Sequence, residues 1–293
     1  MAFDLDLTAS LANEVPRLLH EQMAAVASVL QGTPDADAIH AARRHLKRAR
    51  AMLRLLDGRL SDPASAVDAA LRTAGRHLSA SRDATVLVAT IDALLDLGPR
   101  PATANALRAW RQTLHSPDET VVEAEALSAA RDALAQARLL ATGIGTDGDK
   151  AVWAGFEASY RAGRRALRSA RRKPTAEGLH TLRKALKHHV YQLRVLRPLW
   201  PAVLGAVHDE ADRAAELLGL HHDCAVLRER PTVSGLGAAR RARIDALAAA
   251  REAALATAAL ALCELVYAER ARRFANRIAT YAAHPPADSE PKA

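Results

Sequence analysis

Basic side chains recur at helical spacing between residues 39 and 56, in the sequence IHAARRHLKRARAMLRLL. At about 100° per residue, a helix over this stretch carries potential cations along one edge. They are His40, Arg43, Lys47, Arg50 and Arg54. Leucine and alanine fill the adjoining arc, whereas a solvated charged face would normally mix signs and lie opposite the core. We interpret this first basic stripe as a surface for binding an anion; a basic surface helix is the alternative.

A second basic stripe follows at residues 179–196, LHTLRKALKHHVYQLRVL. Its His180, Arg183, Lys187 and Arg194 each stand 140 positions after a cation of the first stripe. The fifth position differs, because Val190 replaces the arginine, and Tyr191 beside it reaches the same edge of the helix.

A second pair of segments keeps the same spacing. LSASRDATVL at residues 78–87 aligns with LGLHHDCAVL at residues 218–227, and both contain an aspartate, Asp83 and Asp223. We expect these aspartates to cap the next helix or to hold a nearby arginine in place. Two separate blocks in register at one spacing predict an internal duplication.

These residues resemble a known family, the conserved-histidine α-helical domain or CHAD family. The resemblance rests on the paired H-x-x-[RK]-x-x-x-[RK] helices, each followed by a segment like L-x-x-x-R-D-x-x-V-L. It implies two four-helix bundles related by a pseudo-twofold axis, with inorganic polyphosphate bound in a basic central groove. It also implies an association with polyphosphate granules, where some members are found. Two positions depart from the pattern: His222 stands where the first half has Arg82, and Val190 replaces a basic residue.

The composition predicts an all-α fold. Hydrophobic residues make up 49% of the 293, but aromatic residues only 3%, and alanine dominates. Sheet-rich folds depend on aromatic and β-branched residues, whereas small side chains suit close helix packing. The glycine-rich stretch GIGTDGD at residues 143–149 is typical of a linker. We therefore expect one repeat half over residues 1–145, a second over 146–283, and a disordered tail over 284–293.

The charge balance favours an anionic partner. Lysine and arginine number 41 against 33 acidic residues, giving a net charge of +8. Polyphosphate, nucleic acid and an anionic membrane surface all fit this charge. Nucleic acid is disfavoured because few aromatic residues are available for base stacking and no helix-turn-helix, zinc-finger or RNA-binding fingerprint is visible. Without a signal peptide or a run of about 18 uncharged apolar residues, we expect a cytoplasmic protein that does not span a membrane.

A linear polyphosphate requires cations spaced along a groove, with arginine forks engaging oxygens in pairs and lysine acting as a point charge. The predicted polyphosphate-binding residues are those of the two stripes, the basic face of the helix before the second stripe, and the Arg82/His222 position. They are His40, Arg43, Lys47, Arg50, Arg54, Arg82, Arg161, Arg164, Arg168, His180, Arg183, Lys187, Tyr191, Arg194 and His222.

Catalysis, a metal site and a cofactor are not expected. Phosphoryl transfer would require a phosphate-cradling glycine loop or a cluster of metal-binding carboxylates, and neither pattern is present. The run from His221 to Cys224 could suggest zinc, but consecutive residues on a helix rarely reach one tetrahedral ion. The sequence therefore favours a non-enzymatic polyphosphate-binding protein, with nucleic-acid binding and polyphosphate processing as alternatives.

Overall fold

The prediction of an all-α fold is confirmed by a computed structural model. The structure describes residues 3–58, 60, 62–79, 83–114, 123–231 and 236–284, with only the backbone of residues 83 and 84. Every regular element in these ranges is a helix. The predicted disordered tail lies outside the described residues except for its first residue, His284.

Eleven α-helices make up the described chain, and short 3₁₀ turns follow α6 and α8. The helices of the first half are α1 (Leu11–Val29), α2 (Ala36–Leu56), α3 (Ala64–His77), α4 (Asp83–Leu95), α5 (Pro101–Thr113) and α6 (Ala124–Leu140). Those of the second half are α7 (Asp149–Arg172), α8 (Ala176–Leu196), α9 (Pro201–Glu229), α10 (Ala238–Val266) and α11 (Ala271–Ala283). The predicted linker therefore lies at the break between α6 and α7.

The two stripe helices, α2 and α8, begin in the same way. The Asp35 side chain accepts a hydrogen bond from the backbone N–H of Ala38 at 2.8 Å, and Thr175 accepts one from Gly178 at 3.1 Å. Each cap satisfies a first-turn N–H that has no partner within the helix. Both ends of α8 stand 140 positions after those of α2, the spacing on which the predicted duplication rests.

The stripe helices contact each other at the centre of the molecule. Gln192 of α8 donates a hydrogen bond from Nε2 to the backbone oxygen of Ala51 in α2, at 3.2 Å. Around this contact, α1, α2, α3 and α6 pack in a closed ring, and α7, α8, α9 and α10 form another. Both rings contribute to one main hydrophobic core. The pseudo-twofold relation between them stays a prediction.

Helices α4 and α5 extend away from the first ring and pack on the second half. Their apolar side chains, including Ile91 and Trp110, form a smaller core with Leu227 of α9 and Ile244 of α10. This arrangement ties the two halves together at a second place.

Two glycines allow close approach between helices. A Cβ on Gly155 of α7 would lie 2.1 Å from the backbone oxygen of Leu55 in α2. A Cβ on Gly163 would lie 2.2 Å from Oη of Tyr267, which follows α10. Contacts below 3 Å are essentially never seen for a real Cβ, so α7 depends on glycine at both positions.

The helix boundaries correct one expectation. Asp223 lies inside the continuous helix α9 and cannot cap a following helix, because the second half has no break there. Proline usually kinks or breaks a helix, and Pro16 lies within α1, which continues through it without a restart. Helix α10 gives way to α11 over residues 267–270.

One described helix, α10, is long and apolar enough to cross a membrane by length and composition. Its mean hydropathy is 1.5 over an 18-residue window, of which 22% is buried. Core helices of water-soluble proteins pass the same test, and α10 packs against α5, α7 and α9. The expected absence of a membrane span stays a prediction.

Candidate anion-binding cleft

A cleft of about 400 Å³ lies between α2 and α3, with one further residue from α8. Its apolar lining includes Leu46 and Leu71. Its polar lining is almost entirely basic and comes from all three helices: Arg43, Lys47, Arg50, Arg72, Arg76 and His180. Three cations of the first stripe and the first histidine of the second stripe therefore meet at one cleft.

A buried carboxylate, Asp68 of α3, holds guanidinium groups at the cleft. It is 4% exposed and accepts hydrogen bonds from Arg50, at 2.8 Å from Nε and 3.4 Å from Nη2. Arg72 Nε lies 3.3 Å from its Oδ2, and Arg54 Nη2 lies 3.7 Å from its Oδ1. One acid therefore serves three arginines, so most of their positive charge is left uncompensated by it.

Arg43 fastens α2 to the end of α3. Its Nη1 donates hydrogen bonds to the backbone oxygens of Gly75 at 3.2 Å and Leu78 at 2.8 Å. The last carbonyl groups of a helix lack intrahelical partners and favour a cation. Arg43 is therefore a structural cap as well as part of the cleft lining.

The two histidines of the second half that were predicted to bind phosphate stack on each other. The ring centroids of His180 and His222 are 4.4 Å apart, and Nδ1 of His180 is buried without a hydrogen-bond partner. Burial, His222, Lys184 and Arg183 together lower the pKa of His180 to about 4. Burial and the charge of Arg183 also lower the pKa of His222. At neutral pH the pair is therefore uncharged, and the neighbouring cations help to keep it so.

Two of the remaining cations of the second stripe, Arg183 and Lys187, face α9. Lys187 Nζ donates a hydrogen bond to Oδ1 of Asp212 at 2.8 Å. The guanidinium of Arg183 lies beside Gly219, where a Cβ would be 3.5 Å from Nε. Arg194 is exposed, and Tyr191 is half-buried against the main core.

Charges on α2 and α8 affect each other reciprocally. Burial and the charge of Arg194 lower the pKa of Arg48. Burial and the charges of Arg54 and Arg50 likewise lower the pKa of His188. Adding 140 to Arg48 gives His188, and adding 140 to Arg54 gives Arg194. Pairs that exchange in this way are expected for two elements related by a twofold axis.

Several predicted residues lie outside the lining of the cleft. His40 is exposed near the start of α2. Arg161, Arg164 and Arg168 lie on α7, where Arg161 forms an ion pair with Glu157. Arg82 lies outside the described residues. The roles of these residues in binding stay predictions.

Two cations of the cleft, Arg72 and Arg76, were not predicted from the sequence. They stand four and eight positions after Asp68, so all three share one face of α3. That spacing was visible, but acid–base pairs four residues apart are common on any exposed helix. The 140-residue spacing did not indicate them either, because Asp212 and Glu216 occupy the matching positions in the second half.

The side chains at the cleft can hold an anion but are poorly suited to a metal ion. In the part of the chain that the structure describes, no group of three or more His, Cys, Asp or Glu residues is placed to hold a metal ion. Arginine and lysine groups on two facing helices instead offer several hydrogen-bond donors to a multivalent oxyanion.

A family model, the CHAD domain, matches residues 17–232. The chain belongs to the CHAD family. The matched CHAD region runs from within α1 to just beyond α9, so it contains both stripe helices and the whole cleft. A comparison with curated proteins finds no match.

Proposed function

We propose that this CHAD protein binds inorganic polyphosphate in the cleft between α2 and α3 and does not change it chemically. The observation that supports the proposal is the convergence of five cations, Arg43, Lys47, Arg50, Arg72 and Arg76, on one cleft. Membership of the CHAD family is consistent with a polyphosphate-related role. A polyphosphate offers closely spaced oxyanions and no base edges, so spaced arginines and lysines suffice to hold it.

The cleft favours polyphosphate over nucleic acid. Its described lining contains no phenylalanine, tyrosine or tryptophan on which a base could stack. Three lining cations, Arg43, Arg50 and Arg72, are also partly engaged by backbone oxygens or by Asp68, which fixes their positions before the ligand arrives. A preorganised row of cations suits a repeating chain of identical phosphate groups.

Binding without catalysis is part of the proposal. We expect the protein to act in the cytoplasm, where binding would bring it to polyphosphate granules. The cations would hold the chain through its non-bridging oxygens, and the cleft would supply no group that activates water. Processing of polyphosphate is the alternative, and it predicts phosphate release.

Equilibrium binding of long-chain polyphosphate and of DNA matched in total charge tests the proposal. We expect tighter binding of polyphosphate at every salt concentration, with no phosphate released during prolonged incubation. Tighter binding of DNA would contradict the assignment of ligand. Phosphate release proportional to protein concentration would contradict the assignment of a binding protein.

A further inference from the structure

We infer that the two halves do not share the ligand equally, and that Arg72 and Arg76 of α3 confine the polyanion to the cleft of the first half. This inference rests on the proposed function and adds two binding residues to it. The duplicated stripes alone predict equal contributions from both halves. The helix that faces each stripe makes them different.

The clearest difference is at one pair of matching positions. In the second half, Lys187 of α8 forms an ion pair with Asp212 of α9 at 2.8 Å. The matching residues in the first half are Lys47 and Arg72, which both line the cleft. The same position therefore holds an acid that neutralises Lys187 in the second half and an additional cation, Arg72, in the first half.

The next turn of the facing helix repeats this difference. Arg76 lines the cleft, and the residue 140 positions later is Glu216, which is exposed. Glu216 lies one turn beyond Asp212, which binds Lys187, and shortly before Gly219, which contacts Arg183. It is therefore placed along the edge of α9 that faces the second stripe.

The charge around the first cleft therefore differs from the charge around the second stripe. Five cations line the first cleft, and Asp68 is bonded to two of them, Arg50 and Arg72. In the second half, Asp212 offsets Lys187, Glu216 stands one turn further along the same helix, and Val190 stands in place of Arg50. Cations crowded together repel one another, and a polyanion relieves that repulsion, whereas the second stripe already has acids beside it. The polyanion therefore binds more tightly in the cleft of the first half than beside the second stripe.

Transplanting the second-half residues into the first half tests the inference. We expect Arg72→Asp/Arg76→Glu to weaken polyphosphate binding on the order of 100-fold at low salt and to reduce the salt slope by about 2, since two phosphate contacts are lost. Arg272→Asp/Arg273→Glu is the matched control, because it makes the same charge change at two exposed residues of α11. Equal effects of the two variants would overturn the inference. Arg72→Gln/Arg76→Gln provides the same comparison with a smaller disturbance, with Arg272→Gln/Arg273→Gln as its control.

The reverse change should create a second site. With short-chain polyphosphate, we expect one bound chain per wild-type molecule and two for Asp212→Arg/Glu216→Arg, or for the milder Asp212→Asn/Glu216→Gln if the first does not fold. An unchanged stoichiometry in a folded variant would overturn the inference. If wild-type protein binds no polyphosphate, the proposed function fails; if it binds and the α3 and α9 variants behave like wild type, only the asymmetry fails.

Discussion

At the scale of single residues, a few side chains determine how the charge of the cleft is arranged. Asp68 is buried and bonded to Arg50, while Arg43 is fixed by backbone oxygens at the end of α3. His180 contributes differently, because it lines the cleft but is held uncharged by burial and by neighbouring cations. Its protonation state should therefore respond to an anion more than any arginine can.

Binding of polyphosphate should be coupled to proton uptake at His180. In the free protein the pKa of His180 is lowered to about 4, so the ring is neutral above that pH. A bound polyanion favours the protonated ring and raises the pKa, so affinity should rise as pH falls from about 7 towards 4. His180→Gln should remove most of this dependence. Calorimetry in two buffers of different ionisation enthalpy measures the uptake.

The control for this experiment is His20→Gln, which changes an exposed histidine of α1 outside the cleft. It should leave the proton uptake of wild type unchanged. If wild type takes up no protons on binding, His180 is not a ligand contact and acts only in packing against His222.

At the scale of helices, the position of the cleft depends on how closely α2 is held by its neighbours. The backbone of α7 approaches α2 at Gly155, and α8 crosses α2 near Ala51. These contacts fix the helix that carries three cations of the cleft. The charged face of α2 is therefore placed by apolar and backbone contacts on its other faces.

Replacing Gly155 with alanine should lower the free energy of unfolding by about 1–3 kcal/mol or more. The added Cβ would meet the backbone oxygen of Leu55 at 2.1 Å, which no rotamer change can relieve. Urea denaturation followed by circular dichroism gives the change. Gly145→Ala is the control, since no atom lies within 4 Å of its Cβ, and it should shift stability by less than about 0.5 kcal/mol. Equal stability of the two variants would contradict the close approach of α7 to α2.

The positions of the helices could be predicted from the sequence, whereas the groups that surround their charged side chains could not. The helical spacing of the basic stripes and their 140-residue offset indicated α2 and α8 correctly, because these signals are local or repeated. The continuous helix α9 could not be foreseen, since the matching first-half segment is divided into α3 and α4. Arg72 and Arg76 were missed because their partners come from another helix, and sequence spacing alone does not show which faces meet.

At the scale of the whole molecule, the two halves share one core, yet their basic stripes meet different neighbours. The stripe of α2 faces the arginines of α3, whereas Lys187 in the stripe of α8 faces Asp212 of α9. Two helices with matching basic residues can therefore present different charged surfaces.

The salt dependence of polyphosphate affinity tests the central claim most directly. Each neutralised phosphate releases condensed counterions, so the logarithm of affinity should fall linearly with the logarithm of salt concentration. Replacing Lys47, which lines the cleft, with glutamine should flatten that line, because a contact with phosphate is lost. We predict a steep slope for wild type and a smaller one for the Lys47→Gln variant. Affinity that does not change with salt, or a slope that is the same in both proteins, would contradict binding of polyphosphate by the basic cleft.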